Sequence, residues 1–159
     1  TIFSRIIVSE IPSYKLYEDE YTYAFLDIFP QKPGHTLVVP KIEVDHFSDV
    51  PEPYYSAIFQ TAKRLSPAIQ KATGCQRVCA AFVGYQLPHC HYQLLPTHSE
   101  ADFVWKSMPQ ASHEDLLAMQ AKILSFLFRQ IRQKQKNQKF FQPVIQRLLW
   151  VWRKMQKLH

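Results

Sequence analysis

Glycine is scarce in this chain, with three in 159 residues against eleven prolines. That balance argues against a Gly-rich phosphate loop and against a flexible linker protein. No apolar run approaches the ~20 residues that a membrane-crossing helix needs. The opening stretch Thr1-Ile2-Phe3-Ser4-Arg5-Ile6-Ile7 lacks the basic, apolar and small-residue layout of a secretory leader. Cysteine numbers only three, so the thiols cannot all pair within one chain. The odd count and loose spacing point to reduced thiols and a cytoplasmic setting. Acid is missing from the end of the chain. Residues 1–128 hold all 13 acidic residues and 10 basic ones, a net −3, whereas residues 129–159 hold nine basic residues and no acid, a net +9. The overall charge of +6 therefore describes an appended basic element rather than a basic fold.

What is present is nearly half hydrophobic and sized for one domain. Ile2 to Ser9 can form one or two helical turns, broken at Glu10-Ile11-Pro12-Ser13. Tyr14 to Glu18 and Tyr21 to Ile28 read as aromatic-rich strands joined by a turn at Asp19-Glu20. Pro30 to Gly34 is a second turn, and Thr36 to Val39 a short buried strand closed by Pro40. From Glu52 to Ala72, Tyr55, Ile58, Phe59, Ala62, Leu65 and Ile69 recur at helical spacing, with Gly74 as a stop. Pro67 inside this run predicts a kink or break. Arg77 to Val83 and Cys90 to Leu95 read as strands, and residues 97–111 as irregular. Ser112 reads as the cap of a helix continuing through Leu116, Leu117, Met119, Ile123 and Leu127, with Asp115 at the capping-box position. This order predicts an α+β domain with a largely antiparallel sheet.

The chemistry gathers in Gly84-Tyr85-Gln86-Leu87-Pro88-His89-Cys90-His91-Tyr92-Gln93-Leu94-Leu95-Pro96. Strand alternation would set His89, His91 and Gln93 on one face. Three polar side chains there are costly to bury without a purpose. A neutral imidazole can attack phosphorus, while its neighbours fix its tautomer and donate to phosphate oxygens. Two other readings stay open on these residues alone: surface histidines on an edge strand, and a metal chelate. For the chelate, two ligands are too few for zinc, and no third has convincing spacing.

The string resembles the signature of the histidine-triad (HIT) superfamily, His-x-His-x-His followed by two apolar residues. The likeness extends to Ile2 through Ile7, Glu10 through Ser13, Tyr17 through Glu20, Ala24 through Pro30 and Pro33 through Lys41. In the family's order these motifs cover roughly residues 1–128. The resemblance implies a five-stranded antiparallel sheet with helices, joined across a two-fold homodimer. It implies a hydrolase or nucleotidyl transferase acting at the α-phosphate of a purine nucleotide or nucleotide conjugate. Such conjugates include nucleoside phosphoramidates, aminoacyl-adenylates and dinucleoside polyphosphates. His91 matches the nucleophile and His89 its supporting histidine. His35 matches the upstream histidine beside the triad, and Asp27 the carboxylate that accepts from the ribose hydroxyls. Phe3, Ile6, Ile11, Phe25, Ile28 and Leu37 match the walls of the base pocket, although each alone is equally suited to the core. Gln86 stands where a phosphate contact lies. No metal or cofactor is implied.

Three departures matter. Gln93 replaces the third histidine, as in the transferase branch of the superfamily, and can donate a hydrogen bond but supply no proton. Tyr85 replaces a frequent glutamine. The upstream Val78 to Val83 is apolar where many members carry an asparagine. These departures also motivate a reading from another class, a catalytically weak nucleotide-binding adaptor tethered by its tail. In that tail, outside the resemblance, Val144, Ile145, Leu148, Leu149, Trp152, Met155 and Leu158 form a stripe beside Arg147, Arg153, Lys154 and Lys157. Residues 129–159 read as a basic amphipathic helix, suited through 144–158 to a membrane surface or acidic partner, or to packing on its own domain. A basic helix without a defined motif is weak evidence for nucleic acid.

Overall fold

The computed structural model describes residues 1–156, with side chains described for residues 1–137. The apolar tail stripe and its basic companions lie outside the described side chains. Helix α1 spans Ile2–Ile7, capped by the Thr1 hydroxyl, which accepts from the Ser4 amide at 3.2 Å. Its buried residues, Phe3 and Ile6, are three positions apart and share one face. Strand β1 is Lys15–Glu18 and β2 is Thr22–Leu26. The Asp19 carboxylate makes the turn between them, accepting from the amides of Tyr21 at 3.0 Å and Thr22 at 2.8 Å. Strand β3 is Thr36–Pro40. Every residue of β2 and β3 is buried, as central strands covered on both faces require. Gly34 turns the chain into β3 at φ +89°, where a Cβ would stand 2.6 Å from Thr73 Cγ2.

Helix α2, Tyr54–Thr73, packs on the sheet through Ile58, Leu65 and Ile69, all fully buried. Each such side chain contributes roughly 1.5–3 kcal/mol by leaving water. The break expected at Pro67 does not occur, and the helix runs its 20 residues without interruption. Pro67 and Lys63 both lie on the exposed side of the helix, where water can satisfy the Lys63 carbonyl that loses its helical partner. Gly74 ends the helix in the left-handed region, its amide donating to the Gln70 carbonyl at 2.8 Å.

Strand β4, Arg77–Phe82, and β5, Tyr92–Thr97, complete an antiparallel sheet of order β1-β2-β3-β5-β4. The α+β class and the five-stranded sheet are thus as expected. Strand β5 starts two residues later than the sequence suggested. Before it, the His89 amide turns back onto the Leu87 carbonyl at 2.8 Å, and the Cys90 amide donates to the Val44 carbonyl at 2.6 Å. Both bonds divert the backbone from the ladder until Tyr92 pairs with Phe82 and Val38. Helix α3, His113–Gln156, begins at Ser112, whose hydroxyl accepts from the Asp115 amide at 3.1 Å and donates to its carboxylate at 2.7 Å. The chain divides into two compact units, Thr1–Phe126 and Leu127–His159. Among the described residues no helix is long and apolar enough to cross a membrane.

Candidate active site

The sheet centre and the segment before β5 set four candidate polar residues in two hydrogen-bonded pairs, His91 with His89 and His35 with Gln93. His91 Nδ1 lies 2.7 Å from the His89 carbonyl. A carbonyl only accepts, so Nδ1 carries a proton, and in the neutral ring the lone pair lies at Nε2. The Phe3 ring meets His91 edge-on at 5.4 Å and His89 at 5.6 Å. His89 is buried, donating from Nε2 to the Pro40 carbonyl at 2.9 Å and accepting at Nδ1 from the Thr1 hydroxyl at 2.8 Å. Burial pushes its pKa below the ordinary 6.5, with the Pro40 carbonyl opposing. It therefore serves as a neutral, doubly held prop.

Of the three motif side chains expected on one strand face, only Gln93 lies within β5, because the strand begins late. Gln93 is held at both ends. Its Oε1 accepts from His35 Nε2 at 2.8 Å, and its Nε2 donates to the Val83 carbonyl. His35, also buried, accepts at Nδ1 from the Gln31 amide at 3.2 Å. Burial depresses its pKa, opposed by the Asp27 carboxylate, whose Oδ2 stands 3.5 Å from Nδ1. The other Asp27 oxygen accepts from the Phe29 amide at 2.9 Å. Asp27 and His35 face each other because the β2–β3 register places them just past the Leu26–Thr36 pair.

Phe3, Ile6, Phe25 and Leu37 pack into one buried cluster with Tyr23 and Val39, and Ile11 and Leu87 close against it. Ile28 is 38 % exposed and stands outside that cluster. Gln86 is exposed on the loop before His89. A cavity of about 400 Å³ opens beside His91, lined by Asp45, His46, Phe47, Val83, Gly84 and Tyr85 among others. Gln86 does not line it. Cys90 lines it too, but burial, helped by the Asp45 carboxylate, raises its thiol to about 11, so it offers no thiolate to compete with His91.

Gly84 approaches His91 so closely that a Cβ would collide with the ring at Cε1 and Nε2. Only glycine leaves the free nitrogen room at this point.

A protein-family model described as the HIT domain matches residues 8–100, more than half of the chain. This chain belongs to the HIT family. An adenosine 5′-monophosphoramidase of Saccharomyces cerevisiae is 39 % identical over 100 residues, 62 % of this chain and 63 % of that protein. An adenylylsulfatase of Arabidopsis thaliana is 32 % identical over 117 residues, 70 % of this chain and 59 % of that one. The match thus spans less than two thirds of either relative. The crystal structure of a hypothetical histidine triad nucleotide-binding protein from Sulfolobus tokodaii superposes with a TM-score of 0.72 at 25 % identity. That superposition covers 81 % of this chain and 93 % of the other.

Within this HIT domain His91 bonds the His89 carbonyl, and His35 bonds Gln93 and faces Asp27. Three features escaped the sequence reading. Gly84 was visible as one of only three glycines, but its contact depends on a loop path that no pattern encodes. The cavity lining from Asp45 to Phe47 follows a turn with no motif. Trp105, in a segment read as irregular, stacks on His35 with centroids 5.8 Å apart and planes at 26°.

Proposed function

We propose that this HIT protein is a nucleotide hydrolase or nucleotidyl transferase that attacks the α-phosphorus of an adenine nucleotide conjugate through His91 Nε2. The observation that carries this reading is the His91 tautomer. With its proton held at Nδ1 by the His89 carbonyl, Nε2 presents a lone pair beside the glycine-lined cavity. In the first step a bond forms from Nε2 to phosphorus, and the bond from phosphorus to the leaving group breaks with its electron pair. The leaving group takes a proton from solvent. The ring becomes a cationic phosphoimidazolium, which the His89 carbonyl stabilises through the Nδ1–H. In the second step water or another acceptor attacks phosphorus, loses its proton and releases neutral His91. Asp27 and the apolar residues of α1, β2 and β3 would hold the nucleoside. Gln86 would meet phosphate from the loop, and the cavity beside His91 would receive the leaving group. The names of the yeast and plant relatives favour an adenosine moiety and an amine or sulfate leaving group. We further propose that the protein acts as a homodimer joined through β4.

The test is incubation of the chain with adenosine 5′-phosphoramidate, adenylyl sulfate and a dinucleoside polyphosphate, with and without phosphate. Turnover and the intact mass of the protein are read together. An adenylyl adduct on wild type, absent in His91→Ala, is expected. Turnover by His91→Ala should fall at least about a thousand-fold while nucleotide binding survives. Adenosine conjugates that bind but never react or form an adduct would instead support the adaptor reading.

A further inference from the structure

Residues 103–106 form a strap across the turn that leads into β3. Gln31 ties it down twice, its Nε2 donating to the Lys106 carbonyl at 2.6 Å and its Oε1 accepting from the Lys106 amide at 3.0 Å. Beside this tie, Lys32 and Asp102 pair at 2.7 Å. The strap carries Trp105, backed by Phe103 at 5.4 Å, onto the face of His35. Trp105 Nε1 is buried with no hydrogen-bond partner among the described residues. A buried donor without a partner is unfavourable, so the ring rather than the N–H accounts for this placement.

Behind His35 lies an unbroken set of contacts. His35 Nε2 donates to Gln93 Oε1, and Gln93 Nε2 donates to the carbonyl of Val83, the residue before Gly84. Gly84 in turn lies against the free nitrogen of His91. Gln31 closes the circuit, since its own amide donates to His35 Nδ1. The titratable groups facing His35 are Asp27 from the end of β2 and His91 from the segment before β5. Lys32, in the same turn, is engaged by Asp102.

We propose that Trp105 is a positioning residue for the reaction at His91: its indole caps His35 and thereby fixes the His35–Gln93–Val83 hydrogen bonds that hold Gly84 against the nucleophile. The proposal rests on the reading of His91 as that nucleophile. With the indole gone, water reaches the imidazole, which can then take a second proton. A proton on Nδ1 would oppose the Gln31 N–H and loosen the strap. Gln93 would lose its fixed partner, and the Val83–Gly84 backbone its anchor.

The test compares Trp105→Ala, Trp105→Phe and Gln31→Ala in the full chain, with adenosine 5′-phosphoramidate as substrate. NMR follows the His35 ring titration and the Val83 and Gly84 amides. Trp105→Ala should lower kcat about tenfold or more with KM within about twofold, as expected for a small displacement near the reacting atoms. It should also raise the His35 pKa and shift both amides. Trp105→Phe, which keeps an aromatic face and drops the unpartnered N–H, should stay close to wild type. Gln31→Ala, which frees the strap and leaves the core intact, should follow Trp105→Ala and keeps the test open if that variant does not fold. Unmoved Val83 and Gly84 amides in both alanine variants would overturn the proposal, whether or not the protein turns over. So would a kcat loss in Trp105→Phe equal to that in Trp105→Ala, because the N–H would then be the working group. If wild type forms no adduct on His91 while the amides still shift, the nucleophile reading fails and the positioning contact stands as structural.

Discussion

In the proposed reaction, a single missing side chain keeps His91 Nε2 accessible. The space at its Nε2 exists because residue 84 has no Cβ. Gly84→Ala should therefore cut turnover about a hundred-fold or more, as misplacement of a reacting group by ~1 Å can. Its thermal midpoint should stay near wild type, because the loop from Gly84 to Gln86 is exposed. Near-normal turnover by that variant would show that Gly84 does not stand beside the reacting nitrogen. A second consequence follows from the burial of His35 and His89, which holds both below the ordinary 6.5. An unfolded chain takes up protons at these sites at a higher pH than the folded one. Their contribution to stability is therefore complete above the unfolded value and is lost as pH falls through the folded values. Denaturant midpoints measured between about pH 7.5 and about pH 5.5 should fall with pH, and less steeply in His89→Gln. An identical slope in that variant would remove His89 from the account.

At the level of elements, local rules did well where local forces decide. The Ser112 cap, the Asp19 turn and the Gly74 stop all lie where local side-chain or backbone chemistry places them. Two elements departed because a tertiary contact or solvent prevailed. Strand β5 starts late because Cys90 bonds to Val44, a partner 46 residues away that periodicity cannot reveal. Helix α2 continues through Pro67 on its solvent-exposed side, where water can replace the lost bond. The helix interior gains up to ~3 kcal/mol when proline becomes alanine, offset by ~1 kcal/mol of added freedom in the unfolded chain. Pro67→Ala should consequently raise unfolding stability by about 1–2 kcal/mol, read by urea denaturation. A destabilised variant would mean that the ring packs in a way that exposure does not reveal. The strap carrying Trp105 was illegible for a related reason, since its order comes from Gln31, more than 70 residues earlier, and from no spacing of its own.

At the scale of the whole molecule, the order of helical and strand patterns predicted the α+β class, while the open edge of the sheet required the fold. Strand β4 stands last in the sheet, and none of its residues is fully buried. Beside that edge an aromatic group reaches the surface. Phe47, 50 % exposed, stacks on Phe82 at 5.1 Å, and Phe59, 37 % exposed, packs on Phe82 and Tyr92 at 6.0 and 5.2 Å. An open strand edge next to exposed aromatics invites pairing. In a two-fold dimer the same patch meets itself, so one substitution changes both sides of the interface. Phe59→Lys places two like charges close to the axis and removes apolar contact, yet spares the side chains assigned to the reaction. Light scattering coupled to size exclusion should report a dimer for wild type and a monomer for Phe59→Lys at micromolar concentration. Retained dimer mass in the variant would move the interface off this face, and a monomeric wild type would remove the dimer proposal altogether.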